Sequence, residues 1–98
     1  VQYQDGYPDE IWVDIRSELI KNITLERLDF AVSKHCDGIE ADNIDVWYYE
    51  NGFNITYQEN LEMLRWLTTE MHKRGLSAAH KNNMYMIAVR VFTYFLLL

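Results

Sequence analysis

An α/β fold with about three parallel strands and intervening helices is what this 98-residue sequence predicts. Three observations lead there. Apolar runs alternate with segments of helical period, in the order strand, helix, strand, helix, strand. The runs are continuously apolar, as parallel strands covered on both faces require. The composition is that of a globular chain, with 49% hydrophobic and 24% charged residues and a single Pro.

The first strand is expected at Ile11-Trp12-Val13-Asp14-Ile15, a β-branched and apolar run. Ser17 then caps a helix, with Glu18 at the positive end of its dipole. Leu19, Ile20, Ile23, Leu28, Ala31 and Val32 roughly follow the helical period, and Lys34 and His35 fall in the last turn. Asp37-Gly38 leads into a second strand, Gly38-Ile39-Glu40-Ala41-Asp42. A loop with the turn signal Asn51-Gly52 follows. Thr56-Tyr57-Gln58-Glu59 reads as a capping box opening a helix through Leu61, Leu64, Leu67 and Met71 to Arg74. Gly75 is placed to stop it in a left-handed conformation. Leu76-Ser77-Ala78-Ala79-His80-Lys81 reads as the third strand.

Two regions result, a folded 1–83 and an apolar tail 84–98 in which Arg90 is the lone charge. The tail is short and interrupted for a membrane span. It reads first as a helix covering a sheet face, with an interfacial or membrane segment or a miscalled chain end as the alternatives. Acids outnumber bases 15 to 9, giving a net charge of −6. That disfavours nucleic acid and anionic membranes, which are bound through Lys and Arg. The lone Cys36 forms no internal disulfide. Sequons occur at Asn22-Ile23-Thr24 and Asn54-Ile55-Thr56, which permit secretion without establishing it.

Chemistry in parallel α/β folds gathers at the carboxyl ends of the strands. Asp14 and Arg16 fall after the first strand, Glu40, Asp42, Asn43 and Asp45 at the second, and His80, Lys81 and Asn82 at the third. Glu40 and Asp42 share one side of their strand. Lys81 is placed to hold Asp42 ionised. Asp14 reads equally as a site carboxylate or as the salt-bridge partner of Arg16, and Asp45 reads first as a cap or solvated loop residue. Trp47, in a strand-to-helix loop with Tyr48 and Tyr49, is the better candidate for a sugar platform, although an aromatic loop residue is more often structural, and Trp66 reads as helix packing. His35, Cys36 and Asp37 are neighbours that point in different directions at a helix end, so no metal site is expected. His72 reads as a solvated cation near a helix end.

These motifs also form a pattern. Trp12-Val13-Asp14-Ile15-Arg16, Arg27-Leu28-Asp29-Phe30-Ala31 and Cys36-Asp37-Gly38-Ile39-Glu40-Ala41-Asp42-Asn43-Ile44-Asp45 come first. Asn51-Gly52-Phe53, Arg65-Trp66-Leu67, His72-Lys73-Arg74-Gly75-Leu76-Ser77 and Lys81-Asn82 follow. In this order and spacing, from Asp5 to Asn83, the sequence resembles glycoside hydrolase family 114. The Cys-Asp-Gly-x-Glu-x-Asp-Asn-x-Asp run is the specific part. Ala79-His80 stands where the family usually has Gly-Leu, Ala41 where Pro is common, and the tail after Asn83 departs from the family.

The resemblance implies a (β/α)8 TIM barrel, of which this chain supplies about three of eight units, since such a barrel takes roughly 250 residues. It implies a secreted enzyme hydrolysing α-1,4-linked galactosamine polymers, in a family where many relatives carry an α-galactosidase label. It implies that Asp42 is a catalytic carboxylate and that a Glu on a later strand is the second. By its spacing from Lys81-Asn82, that Glu is expected past the end of this chain. Glu40 is a poor substitute, because strand residues two apart lie roughly 7 Å apart along one edge, on the same side of a substrate. Asp14, Glu40, Asn43, Asp45, Trp47 and Lys81 are expected to bind substrate around Asp42. No cofactor and no metal are expected, and the partner is a carbohydrate. The chain alone is expected to be inactive and poorly stable, with two unpaired sheet edges. The alternative is a carbohydrate-binding protein without catalysis, or a truncated product without function.

Overall fold

The structure is a computed structural model and describes residues 3–4 and 6–86. The tail beyond Met86 lies outside the described residues. The chain begins with an antiparallel hairpin, β1 (Tyr3–Gln4) and β2 (Tyr7–Ile11), turned through Gly6 at φ +80°. Helix α1 (Glu18–Ser33) leads to β3 (Gly38–Ala41). After a 3-10 turn at Val46–Tyr48, helix α2 (Tyr57–Lys73) crosses back to β4 (Ser77–His80), and a second 3-10 turn follows at Met84–Met86.

The β3–α2–β4 unit matches the sequence reading closely. β3 and β4 pair in parallel, with Gly38 opposite Ser77 and Ala41 opposite His80. The ladder runs one bond further, from the Lys81 amide to the Ala41 carbonyl at 2.9 Å. The capping box forms in both directions. The Glu59 amide donates to Thr56 Oγ1 at 3.2 Å, and the Thr56 amide donates to Glu59 Oε2 at 2.8 Å. Gly75 adopts φ +75°, ending α2 as expected.

The first strand is a correction. The residues from Trp12 to Asp14 are not strand, and the ladder lies earlier, at Tyr7–Ile11, exposed along its length. Its partner is the antiparallel Tyr3–Gln4, so the parallel sheet has two strands among the described residues and not three. The apolar character of the run has another cause. Trp12 is buried against Val46 and Ile55, with Ile15 alongside. Ser17 stands at the N-cap of α1, but its hydroxyl makes no capping bond. The helix ends at Ser33, so Lys34 is its C-cap and His35 lies beyond it at φ 60°.

Both helices pack toward one face of the two-stranded sheet. Leu28 of α1 meets Leu67 and Met71 of α2 and Leu76, with Ile39, Ala41 and Ala78 of the strands packed against them. Strand alternation leaves Glu40 and Ala79 on the other, exposed face. Arg74 ties the helices together, reaching Asp29 of α1 at 2.6 Å and Glu70 of α2 at 2.8 Å. Among the described residues no helix is long and apolar enough to cross a membrane.

Three buried asparagines hold the connection from β3 to α2. Asn60 and Asn83 each donate to the Ile44 carbonyl at 2.9 Å. Asn60 also accepts from the Trp47 amide at 3.3 Å. Asn51 donates to the Val46 and Tyr49 carbonyls and accepts from the Phe53 amide at 2.8 Å. A buried carbonyl without a donor is costly, so these side chains replace the backbone partners that a loop lacks.

Two stability predictions follow from this packing. A Cβ on Gly38 stands 2.7 Å from the Ser77 carbonyl oxygen and 2.9 Å from its Cβ. Gly38→Ala is therefore expected to push β3 off β4 and cost about 2 kcal/mol, within the usual range for overpacking. Asn60→Ala removes a buried acceptor and donor together and is expected to cost about 1–3 kcal/mol. Urea unfolding midpoints measure both, and wild-type midpoints in either variant contradict the packing described here.

Candidate carbohydrate site at the strand ends

The candidate site sits where the chain leaves β3 and β4. Asp42 is the first residue after β3, and Lys81 and Asn82 are the first two after β4. Because the strands are parallel and in register, both exits lie on one edge. Lys81 Nζ donates to Asp42 Oδ2 at 3.0 Å. Asn82 Nδ2 donates to Asp42 Oδ1 at 2.7 Å, and the Asn43 amide donates to the same oxygen at 2.8 Å.

Asn43, Asn82 and Asn83 all take positive φ, 52°, 62° and 55°. Asn tolerates this left-handed region better than most residues. The Asp42 hydrogen bond and charge, and then the nearby Glu40, favour the charged form of Lys81. The hairpin reaches the same edge, with Gln4 Nε2 donating to Asn43 Oδ1 at 3.1 Å.

Asp42 is open to solvent, its side chain 42% exposed. The Lys81 hydrogen bond, followed by those from Asn43 and Asn82, pulls its pKa below the ordinary carboxylate value. All of these donors favour the ionised form. Asp42 is therefore a fixed, charged acceptor at neutral pH. Such a group serves as a nucleophile, a base or an electrostatic stabiliser, and not as an acid.

The other expected residues divide in two. Asp42, Asn43, Lys81 and Glu40 come together at this edge. Asp14 joins a different network. Both of its oxygens bind Arg16, at 2.9 and 3.0 Å, and Arg16 goes on to Glu59 at 3.1 Å and the Phe53 carbonyl at 3.0 Å. Arg16 holds the Asp14 carboxyl below its ordinary pKa. Glu59 is lowered first by the Thr56 amide and hydroxyl and then by Arg16. This network fastens the end of the β3–α2 loop to the start of α1. Asp45 precedes the first 3-10 turn and makes no side-chain cap, but its carbonyl accepts from the Tyr48 amide at 2.9 Å.

Trp47 is half-buried. Its ring meets the edges or faces of Tyr48, Tyr57 and Tyr85 at steep angles, and its indole N–H donates to Asn83 at 3.4 Å. His80 turns to the helix side, within 3.2 Å of Thr68 Oγ1. Sequence reasoning left two residues out of the site. Asn82 was named at the third strand end but not among the residues expected to bind substrate. Asn60 carried a signal, since it lies on the apolar stripe of α2 ahead of Leu64, Leu67 and Met71. Among the described residues no cluster of three or more His, Cys, Asp or Glu is arranged to hold a metal.

A solved structure, Aspergillus fumigatus Ega3 in complex with galactosamine, superposes with a TM-score of 0.86 and 32% sequence identity. The match covers 91% of this chain and 36% of that one, so this chain spans little more than a third of the protein it resembles. No curated protein matches the chain. The family model described as glycoside-hydrolase family GH114 matches residues 1–97, nearly the whole sequence, and the chain belongs to that family.

Proposed function

We propose that this chain forms one wall of a glycoside hydrolase site acting on α-linked galactosamine polymers, within a (β/α)8 barrel of which it is a part. The observation that carries the reading is Asp42, held ionised at the carboxyl end of a parallel strand by Lys81, Asn82 and the Asn43 amide. Strand ends are where (β/α) barrels place their chemistry. The galactosamine in the matched structure supports an amino sugar as the ligand.

Charge supports the same ligand. Galactosamine units with free amines are cationic, and the chain carries 9 basic against 15 acidic residues, a net charge of −6. Such a field draws a polycation in and weakens with salt. The amine has acceptors at the rim in Asp42 and Glu40, and Lys81 and Asn82 offer donors to ring hydroxyls. Secretion fits an enzyme that meets an external polysaccharide.

Glycoside hydrolysis needs two carboxyl groups on opposite sides of the scissile bond, one of them protonated. Asp42 suits the charged role of nucleophile or base. Glu40 stands two residues earlier on the same edge, and Asp14 is engaged by Arg16. The proton donor in this reading is a further carboxyl outside residues 1–98, facing Asp42 across the substrate. Asn43 and Lys81 position the sugar, Asp45 borders the loop, and Trp47 backs the aromatic side of the rim.

Titrating the 98-residue chain with α-1,4-linked galactosamine oligosaccharides tests the reading by NMR. The amides of Asp42, Asn43, Lys81 and Asn82 are expected to shift, with affinity falling as salt rises. No reducing ends are expected to form above buffer. Shifts confined to α1, or clear turnover by this chain, contradict the proposal.

The electrostatics predict a pH response with a definite sign. The pKa of Asp42 is depressed in the folded chain, so its favourable pairing is present above the unfolded value. That pairing is lost as pH falls through the lower folded value, below about pH 4. Lys81→Met removes the largest cause and is expected to move the Asp42 titration upward, toward its ordinary value. Carboxyl-carbon NMR across acidic pH measures this, and an unmoved titration contradicts the assignment of Lys81 as the controlling partner.

A further inference from the structure

Beside the polar rim lies a set of aromatic side chains that the proposed chemistry does not use. Tyr48, Tyr49 and Tyr85 are 52%, 42% and 64% exposed. Single exposed aromatics are ordinary, but a contiguous group marks a binding surface. These rings are also fixed from behind. Tyr48 and Tyr85 stack with centroids 4.8 Å apart and planes 14° apart, and their hydroxyls lie 3.4 Å from each other. The half-buried Trp47 meets both at steep angles. Tyr49 stands edge-on to Tyr48 and stacks on the buried Trp12. The asparagine pins described above hold Trp47 in turn, at its amide and at its indole N–H. A ligand landing here orders no loose side chain, which lowers the entropic cost of binding.

The aromatic set is continuous with the carboxylate. Tyr85 follows Asn82 by three residues, at most about 11 Å of chain. Asn82 is itself bonded to Asp42 at 2.7 Å. Both aromatic segments leave the same strand edge as Asp42, Tyr48 after β3 and Tyr85 after β4.

We propose that this ledge, with Tyr85 outermost and Tyr48 and Trp47 behind it, is a pyranose-stacking subsite for the amino-sugar unit next to the one held at Asp42. The proposal rests on the amino-sugar reading of the rim. A galacto-configured ring carries its axial C4 oxygen on one face and presents a patch of C–H groups, at C3, C4 and C5, on the other. That apolar face covers an aromatic ring well, and a nearby ammonium adds a cation–π attraction. The platform is thus Tyr85 and Tyr48, with Trp47 as their support. Such a ledge selects chains over single sugars, because only a chain reaches from Asp42 to Tyr85.

Binding of galactosamine and of its α-1,4-linked trimer to the 98-residue chain, followed by NMR, tests this. The trimer is expected to bind about tenfold more tightly than the monomer. Tyr85→Ala removes most of that gain and leaves the monomer unchanged. Tyr85→Phe keeps it, because stacking uses the ring and not the hydroxyl. In the parent chain the ring protons of Tyr48 and Tyr85 shift with trimer and not with monomer, which needs no substitution. If Tyr85→Ala binds trimer as the parent does, or the ring protons do not respond, the ledge is overturned while the rim stands. If neither sugar binds the parent, the rim reading falls and the ledge with it.

Discussion

A single backbone oxygen organises the functional edge of this chain. The Ile44 carbonyl accepts from two buried side-chain amides, Asn60 on helix α2 and Asn83 on the segment after β4. Asn60 is fully buried, and Asn83 is 2% exposed. The exit from β3 is thereby fastened both to the helix that follows it and to the exit of the neighbouring strand. Both bonds lie in an apolar setting formed by Leu61, Leu64 and Met86, where polar side chains need hydrogen-bond partners. With the two exits fastened together, the backbones of Asp42, Lys81 and Asn82 lie side by side at one edge.

The rim follows from that constraint. An exposed carboxylate and an exposed lysine form a weak ion pair on their own, since water screens the charges and both side chains lose freedom. Here the backbone does the positioning, so the pair needs little energy of its own to persist. Its consequence is chemical: three donors around one carboxylate keep it ionised and aimed outward. The Asp14–Arg16–Glu59 network has the opposite character. Its carboxylates are absorbed in fastening a loop to two helix starts, and the capping box of α2 is one of its members.

Much of this was legible in the sequence, for reasons that can be named. The Thr56–Glu59 box, Gly75 and the β3–α2–β4 order depend on local signals, and local signals survive into the structure. The pairing of Asp42 with Lys81 was legible because parallel strands deliver their carboxyl ends to one edge. The strand expected at Ile11–Ile15 was not sound. An apolar run reports burial, and here the burial is that of Trp12 against the β3–α2 loop and not of a central strand. Strand identity depends on a ladder partner, which no single segment encodes. Trp47 illustrates the same limit. Its loop position was clear, but of the groups that enclose it only Tyr48 is a neighbour; Tyr57, Tyr85 and Asn83 come from other segments, the last two remote in sequence. Asp14 offered two readings in the sequence, and the short loop back from Arg16 settles its salt bridge.

Membership of a glycoside-hydrolase family and a polar rim at the strand ends underlie the proposal that Asp42, Lys81 and Asn82 form the face on which an amino sugar sits. A crystal structure of this chain grown with galactosamine tests it most directly. The account predicts a sugar ring within hydrogen-bonding distance of the Asp42 carboxylate. A ring lodged instead between α1 and α2 beside Arg16, with Asp42 bare, would contradict it.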